Sequence, residues 1–306
     1  MAISSDHQRP ASYDEAPTAA MTPQQRAQFE KDGYLIIRGA LTPTEVEYYA
    51  AALDRVYAEQ EAAGAVKPGG SMHVLSAVAN CKESIGLIDH PATFPLVWSM
   101  LGWNVHIYHS HLDVHPNIPT KAPFRFEWHQ DGGRQNRELE GEPRERMSVK
   151  LAFWLSDVSQ KGRGNFKILP GSHRTNWIDG PPRRDIEWPD PEGAIEVCVN
   201  PGDAVFFDRR LWHCRTNNYS DITRKGMFFA YSHRWSHIRD ENDELYASTA
   251  FDAFSPVQRQ LLGAPLATPG QVKGDHQWGH YPNTTPVFGY LKENGLFDPA
   301  YPPLIP

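Results

Sequence analysis

Between Trp103 and Ser232 the chain divides into short stretches in which apolar and polar side chains alternate, each closed by a turn signal. They run from Trp103 to His115, Phe124 to Asp131, Ser148 to Ser156, Asn165 to Leu169, Ile195 to Val199, Ala204 to Phe207 and Gly226 to Ser232. A period of two sends successive side chains to opposite faces of an extended backbone, so each stretch reads as a strand. Several short strands separated by turns predict a β-sandwich or jelly roll.

The chain before them reads as mostly helical, with helices packed on the outer face of the sheet. Thr22-Pro23 opens a short helix that ends near Asp32-Gly33: Thr caps it, and Pro at the first position loses no hydrogen bond. Tyr34 to Arg38 is a short apolar strand closed by Gly39. Thr42-Pro43-Thr44-Glu45 is a capping box, and the helix it opens runs to about Ala63-Gly64. Val46, Tyr49, Leu53, Val56 and Tyr57 recur at helical spacing and predict its buried stripe. Residues 65–82 read as a loop with a short strand, and a helix over Pro91 to Leu101 follows, with Gly102 as its C-cap. Near the end, Ser255 to Gly263 reads as a capped helix, and Gly279 to Pro306 as a segment that wraps the domain. Residues 1–21 are expected to form a flexible tail and 22–306 a single domain.

Charge narrows the partners. A net charge of −7 and a pI near 6.0 leave no basic face for nucleic acid. No apolar run approaches the roughly 20 residues that span a bilayer, and Met1 to Ala20 lacks the apolar region of a secretory signal. The three cysteines are scattered, with no Cys-x-x-Cys pair. A cytoplasmic protein is expected, with no nucleic-acid or membrane partner. Two loops stand out, charged Arg134 to Arg146 and Pro- and Trp-rich Arg174 to Gly193, each either a lid or a solvated surface.

The candidate chemistry centres on Phe126-Glu127-Trp128-His129-Gln130-Asp131-Gly132-Gly133. On a strand, His129 and Asp131 leave the same face while Gln130 leaves the other. A third ligand is available downstream in Leu211-Trp212-His213-Cys214. Two histidines and one carboxylate on one face of an octahedral ion suit non-haem ferrous iron. Alone, His-x-Asp also describes a surface hydrogen-bonding pair, and His213 a core histidine. His106, His109, His111 and His115 crowd one strand; with Asp113, His109 and His111 face one way and could line a pocket.

Further stretches recur in order: Phe153-Trp154-Leu155-Ser156-Asp157, then Gly164-Asn165-Phe166 through Pro170-Gly171-Ser172-His173, then Pro201-Gly202-Asp203, and Arg224 eleven residues after His213. With Phe29-Glu30-Lys31-Asp32-Gly33-Tyr34 at the start, the pattern resembles the phytanoyl-CoA dioxygenase family of Fe(II)/2-oxoglutarate oxygenases over roughly two thirds of the chain. The resemblance implies a mainly β fold with flanking helices and a double-stranded β-helix (jelly-roll, cupin-like) core. It implies iron held by His129, Asp131 and His213, and 2-oxoglutarate bound by Arg224, with Gln130 and Trp154 lining the cosubstrate site. A guanidinium suits that task because its planar fork pairs with a carboxylate through two hydrogen bonds. The implied reaction is hydroxylation, or another C–H oxidation, of a small organic substrate, with 2-oxoglutarate and O2 converted to succinate and CO2. Asp131 separates the chain from halogenating relatives, which carry a small residue there. Arg215 departs from the pattern, standing where many relatives have a small hydroxyl residue.

Aromatic content and the two loops suggest an intermediate of specialised metabolism. An acyl-CoA or amino-acid-derivative hydroxylase is the alternative within the class, although no basic cluster suits the phosphates of CoA. A peptide hydroxylase, a metal-dependent jelly-roll isomerase and a non-catalytic binding protein remain open.

Overall fold

In chain order the elements are α1 (Pro23–Asp32), β1 (Tyr34–Ile37), α2 (Pro43–Ala62), β2 (Met72–Leu75), α3 (Ala77–Asn80), α4 (Ile85–Ile88), α5 (Phe94–Leu101), β3 (Val105–His115) and β4 (Ser148–Trp154). There follow β5 (Phe166–Ile168), β6 (Ile195–Val197), β7 (Ala204–Asp208), β8 (His213–Arg215), β9 (Arg224–His233), α6 (Asp243–Tyr246), α7 (Thr249–Asp252), α8 (Pro256–Leu261) and α9 (Pro286–Glu293). The computed structural model describes residues 20–117, 128–132, 138–178, 190–264 and 285–296. All but two residues of the expected N-terminal tail therefore lie outside the described residues, as does much of the expected strand from Phe124 to Asp131.

The helices start where side chains can satisfy their first amides. Thr22 with Gln25, Thr42 with Glu45 and Ser255 with Gln258 each form a reciprocal capping box, and Pro follows each cap. Gly33 ends α1 at φ 81°, in the left-handed region that glycine enters without penalty. On α2, Tyr49, Ala52, Leu53 and Val56 are buried. Val46 and Tyr57, expected in the same stripe, are only half-buried. Tyr57 lies at the edge because its hydroxyl donates to the Gly70 carbonyl of the following loop at 2.8 Å.

Two antiparallel sheets result, six strands in the order β1-β7-β4-β9-β3-β2 and three in the order β6-β5-β8. Alternation gives the large sheet two working faces. Val149, Leu151 and Phe153 of β4, with Phe206, Met227, Phe229 and Tyr231, join the core under the helices. Ala152, Trp154, Val205, Phe207 and Phe228 instead meet Phe166, Ile168 and Val197 of the small sheet in a second core. The layers are thus helices, six-stranded sheet and three-stranded sheet, as the jelly-roll expectation requires.

Three local readings are corrected. The helix expected from Pro91 begins at Phe94. His213 to Arg215 forms a strand of its own, too short to show alternation. Arg146, at the end of the Arg134–Arg146 loop, is an anchor, while Glu138, Glu140 and Glu145 stay exposed. Arg146 bonds the fully buried Asp208 through Nε at 2.7 Å and Glu30 of α1 through its other nitrogens. Arg210 closes on the same Asp208 at 2.7 Å. Residues 285–296 of the C-terminal segment supply α9, which packs on α8: Val287 N donates to the buried Gln260 side chain at 3.0 Å. No helix among the described residues is long and apolar enough to cross a membrane.

Candidate active site

Between the two sheets lies a cavity of about 540 Å³ whose walls come from β2, β3, β4, β5, β7, β8 and β9. At one side His129 and His213 form an isolated antiparallel bridge, each amide donating to the other's carbonyl at 3.0 and 2.9 Å. That pairing brings the downstream histidine to the His-x-Asp turn. His129, Asp131 and His213 each offer a ligand atom within 4.8 Å of the other two. Just beyond, Gly132 takes φ 73°, where the chain turns away.

The electrostatics suit a cation. The Nδ1–H of His213 donates to the Leu211 carbonyl at 2.7 Å, which fixes the tautomer and leaves Nε2 as the free lone pair. Burial, and then the charge of His129, push the His213 pKa down to about 3, so it is a neutral donor at physiological pH. Burial alone would raise the Asp131 carboxyl, but Lys150 and the two histidines hold it well below the carboxylate range. Two imidazoles and one carboxylate therefore fit a divalent first-row ion.

Arg224 starts β9 and reaches the same cavity with only 2% of its surface exposed. Its guanidinium lies 4.5 Å over the Trp154 ring and 5.6 Å from that of Phe228. Nη1 approaches Asp113 Oδ2 at 3.3 Å, while Nε is a buried donor with no hydrogen-bond acceptor among the described residues. A planar carboxylate entering here would satisfy that donor. Gly164 makes room for the side chain: at φ 74°, an added Cβ would lie 2.8 Å from Arg224 Cδ.

The expected site residues therefore separate. His129, Asp131, His213 and Arg224 share the cavity lining. Trp154 is fully buried and supports Arg224 from its ring face. Gln130 does not reach the cavity: its amide donates to the carbonyls of Arg210 at 2.6 Å and Thr175 at 3.0 Å. Gln130 points away from His129 and Asp131, as the residue between two same-face neighbours on an extended backbone does. Of the crowded histidines, His109, His111 and His115 line the cavity with Asp113, whereas His106 bonds Ser236 at 3.1 Å. His173 is structural, its Nε2 donating to the Glu30 carbonyl at 3.1 Å.

Sequence reasoning passed over Lys150. Its Nζ lies 2.9 Å from Asp131 Oδ2, and only 5% of the residue is exposed. Burial would depress the ammonium, but the Asp131 charge outweighs it and lifts the pKa above the ordinary lysine value. A lone cation in the run Ser148-Val-Lys-Leu-Ala-Phe-Trp154, in phase with Trp154, was the available signal. Arg215 also lines the cavity, and burial followed by the Arg224 charge brings its pKa down to about 10.

Residues 29–226 match the family described as phytanoyl-CoA dioxygenase (PhyH). The chain belongs to this family. Over 246 residues this PhyH-family chain is 25% identical to the ectoine dioxygenase of Stutzerimonas stutzeri, covering 72% of its own length and 78% of the relative's. A Nocardia farcinica ectoine dioxygenase is 23% identical over 240 residues, covering 68% and 77% of the two chains. Among solved structures, EctD from S. alaskensis with 2-oxoglutarate and 5-hydroxyectoine superposes with a TM-score of 0.57 at 22% identity, covering 73% of this chain and 79% of that one. HygX from Streptomyces hygroscopicus, with nickel and 2-oxoglutarate bound, gives 0.56 at 18% identity, covering 72% and 90%. At these identities the superpositions establish the jelly-roll fold that the PhyH-family chain shares with them.

Proposed function

We propose that this PhyH-family chain is a non-haem Fe(II)/2-oxoglutarate-dependent dioxygenase acting on a small organic molecule. The observation that carries the reading is the convergence of His129, Asp131 and His213 on one point of a cavity whose wall holds the buried Arg224. Family membership supports it, as do the ectoine dioxygenases among its relatives.

In this reading His129, Asp131 and His213 hold iron, and Arg224 takes the distal carboxylate of 2-oxoglutarate. Bound together, these groups supply O2 activation and C–H oxidation, with succinate and CO2 as coproducts. The chain's own contribution is placement. His213 is held in one tautomer by Leu211, and Arg224 is fixed between Trp154, Phe228 and Asp113. Phe166 and Phe207 pack against His213 at 5.2 and 5.5 Å and limit water around it. On the remaining wall His109, His111, His115 and Arg215 offer polar groups among apolar surface, which favours a substrate bearing hydrogen-bonding or anionic groups. An intermediate of specialised metabolism fits this site, and solved neighbours that include a carbocyclase from nogalamycin biosynthesis support that direction.

The test is anaerobic titration of Fe(II) and 2-oxoglutarate into the purified apoprotein, read by the visible metal-to-ligand charge-transfer band. The expected result is a band in the wild type, lost in His129→Ala and weakened in Arg224→Ala. Iron binding without a band would overturn the oxygenase reading in favour of a non-oxidative metalloenzyme.

A further inference from the structure

The chain writes one pattern twice. His129-x-Asp131 is completed by His213 across an antiparallel bridge. His111-x-Asp113 is completed by His73 across an antiparallel ladder, where His73 pairs with Asp113 in register. In both cases two residues of one segment leave the same face, and a histidine of the neighbouring segment closes the set. His73, His111 and Asp113 likewise offer three ligand atoms within 4.8 Å of one another.

We propose that His73, His111 and Asp113 form a second binding site for a divalent first-row transition metal, separate from the His129 triad but opening on the same cavity. The donor geometry is already drawn in. Asp113 Oδ1 lies 2.7 Å from His73 Nδ1 and 3.1 Å from His111 Nδ1, spacings close to those between neighbouring ligands on one ion. Without metal the two imidazoles share that single oxygen, and one cation in place of their Nδ1 protons would draw on the same three atoms. His111 is buried, with 8% of its surface exposed. Stacking of its ring on Phe228, 4.4 Å between centroids at 12°, fixes its plane. His73 carries the half-exposed side of the site and gives an entry path, its side chain 54% exposed. Two imidazoles and one carboxylate select Zn²⁺, Co²⁺, Ni²⁺ or Fe²⁺ over the oxygen-seeking Mg²⁺ and Ca²⁺.

The division of labour on Asp113 sets the affinity. Oδ2 faces Arg224 at 3.3 Å and His115 Nε2 at 3.4 Å, leaving Oδ1 for the metal. Part of the carboxylate charge is thus already neutralised, as Lys150 neutralises Asp131, so metal binding at either site competes with a resident cation.

The test is equilibrium dialysis of the full chain against Co²⁺ and, separately, Zn²⁺, with metal and protein quantified. Two equivalents are expected in the wild type, one in His73→Ala, one in His213→Ala and none in the double variant. His111→Gln, which keeps the ring pocket filled, repeats the loss should one substitution disturb folding, and circular dichroism verifies each variant. The site is overturned by a single equivalent in the wild type, or by a second equivalent that survives His73→Ala and His111→Gln. A wild type with one equivalent that His213→Ala abolishes would leave the iron reading intact while removing this one.

Discussion

Lys150 Nζ sits 2.9 Å from Asp131 Oδ2, so the carboxylate of the candidate triad carries a buried ammonium before any metal arrives. The pair holds a negative charge in a place where it would otherwise be costly, and keeps Asp131 ionised.

Lys150→Met should therefore lower the stability of the metal-free protein by about 3 kcal/mol, the cost of leaving one partner of a buried pair alone. Added Co²⁺ should restore most of that loss, because the ion takes over neutralisation of Asp131. Thermal unfolding with and without metal checks this; an equal deficit in both conditions would show that Lys150 acts on packing alone.

Arg224→Lys should weaken 2-oxoglutarate binding roughly ten- to a hundredfold, the worth of a lost charge-assisted bond. Lysine keeps the charge but loses the planar fork and its stacking on Trp154. Titration of the charge-transfer band reads the affinity, while iron stoichiometry should stay at the wild-type value.

Gly164→Ala and Gly162→Ala form a matched pair. Both glycines have positive φ, 74° and 81°, so each substitution should cost about 1 kcal/mol in backbone strain. Only at Gly164 does the new Cβ meet Arg224 Cδ, at 2.8 Å, while at Gly162 nothing lies within 4 Å. Cosubstrate affinity should fall in the first variant and hold in the second. Equal affinities would detach Gly164 from the placement of Arg224.

Stability should drop on acidification well before the carboxylates titrate. Burial, followed by the charge of Arg234, pushes His106 down to about 4, and burial does the same for His111 and His115. Each such imidazole stays neutral when folded but takes up a proton below its ordinary value of 6.5 when unfolded. Their contribution is complete above 6.5 and is lost as pH falls toward about 4, at about 1.4 kcal/mol per pH unit for each group. Asp113 and Asp131, held below the usual carboxylate range, act only at lower pH. In urea unfolding at pH 7, 6 and 5, His106→Gln should flatten the slope by about one proton. An unchanged slope would mean that His106 is protonated in the folded state.

Much of this was legible because it was local. Thr22, Thr42 and Ser255 cap their helices through residues three positions on, and the alternating stretches other than Phe124 to Asp131 became strands within a few residues of the expected ends. The convergence of the candidate triad was legible for the same reason in part, since His129 and Asp131 share a face by parity alone. The rest depended on register. That His73 stands opposite Asp113 follows from the β2–β3 pairing, which no neighbouring residue specifies. Lys150 was hidden inside an apolar run whose partner, Asp131, lies in another segment. Gln130 misled through adjacency to the motif, although the same parity that joined the two ligands already sent it to the opposite face.

Strand β4 serves two layers at once. Along β4, Val149, Leu151 and Phe153 serve the core beneath the helices, while Lys150, Ala152 and Trp154 face the site. Inserting or deleting one residue there would exchange the two sets, placing an ammonium in the oily layer and phenylalanine beside the candidate triad. Evolutionary change on this strand is therefore restricted to replacement at every second position, and the freedom to gain or lose length belongs to the connections between strands. A new substrate preference can arise here by altering the residues that flank the cavity without disturbing the fold, since the pleat insulates one inheritance from the other.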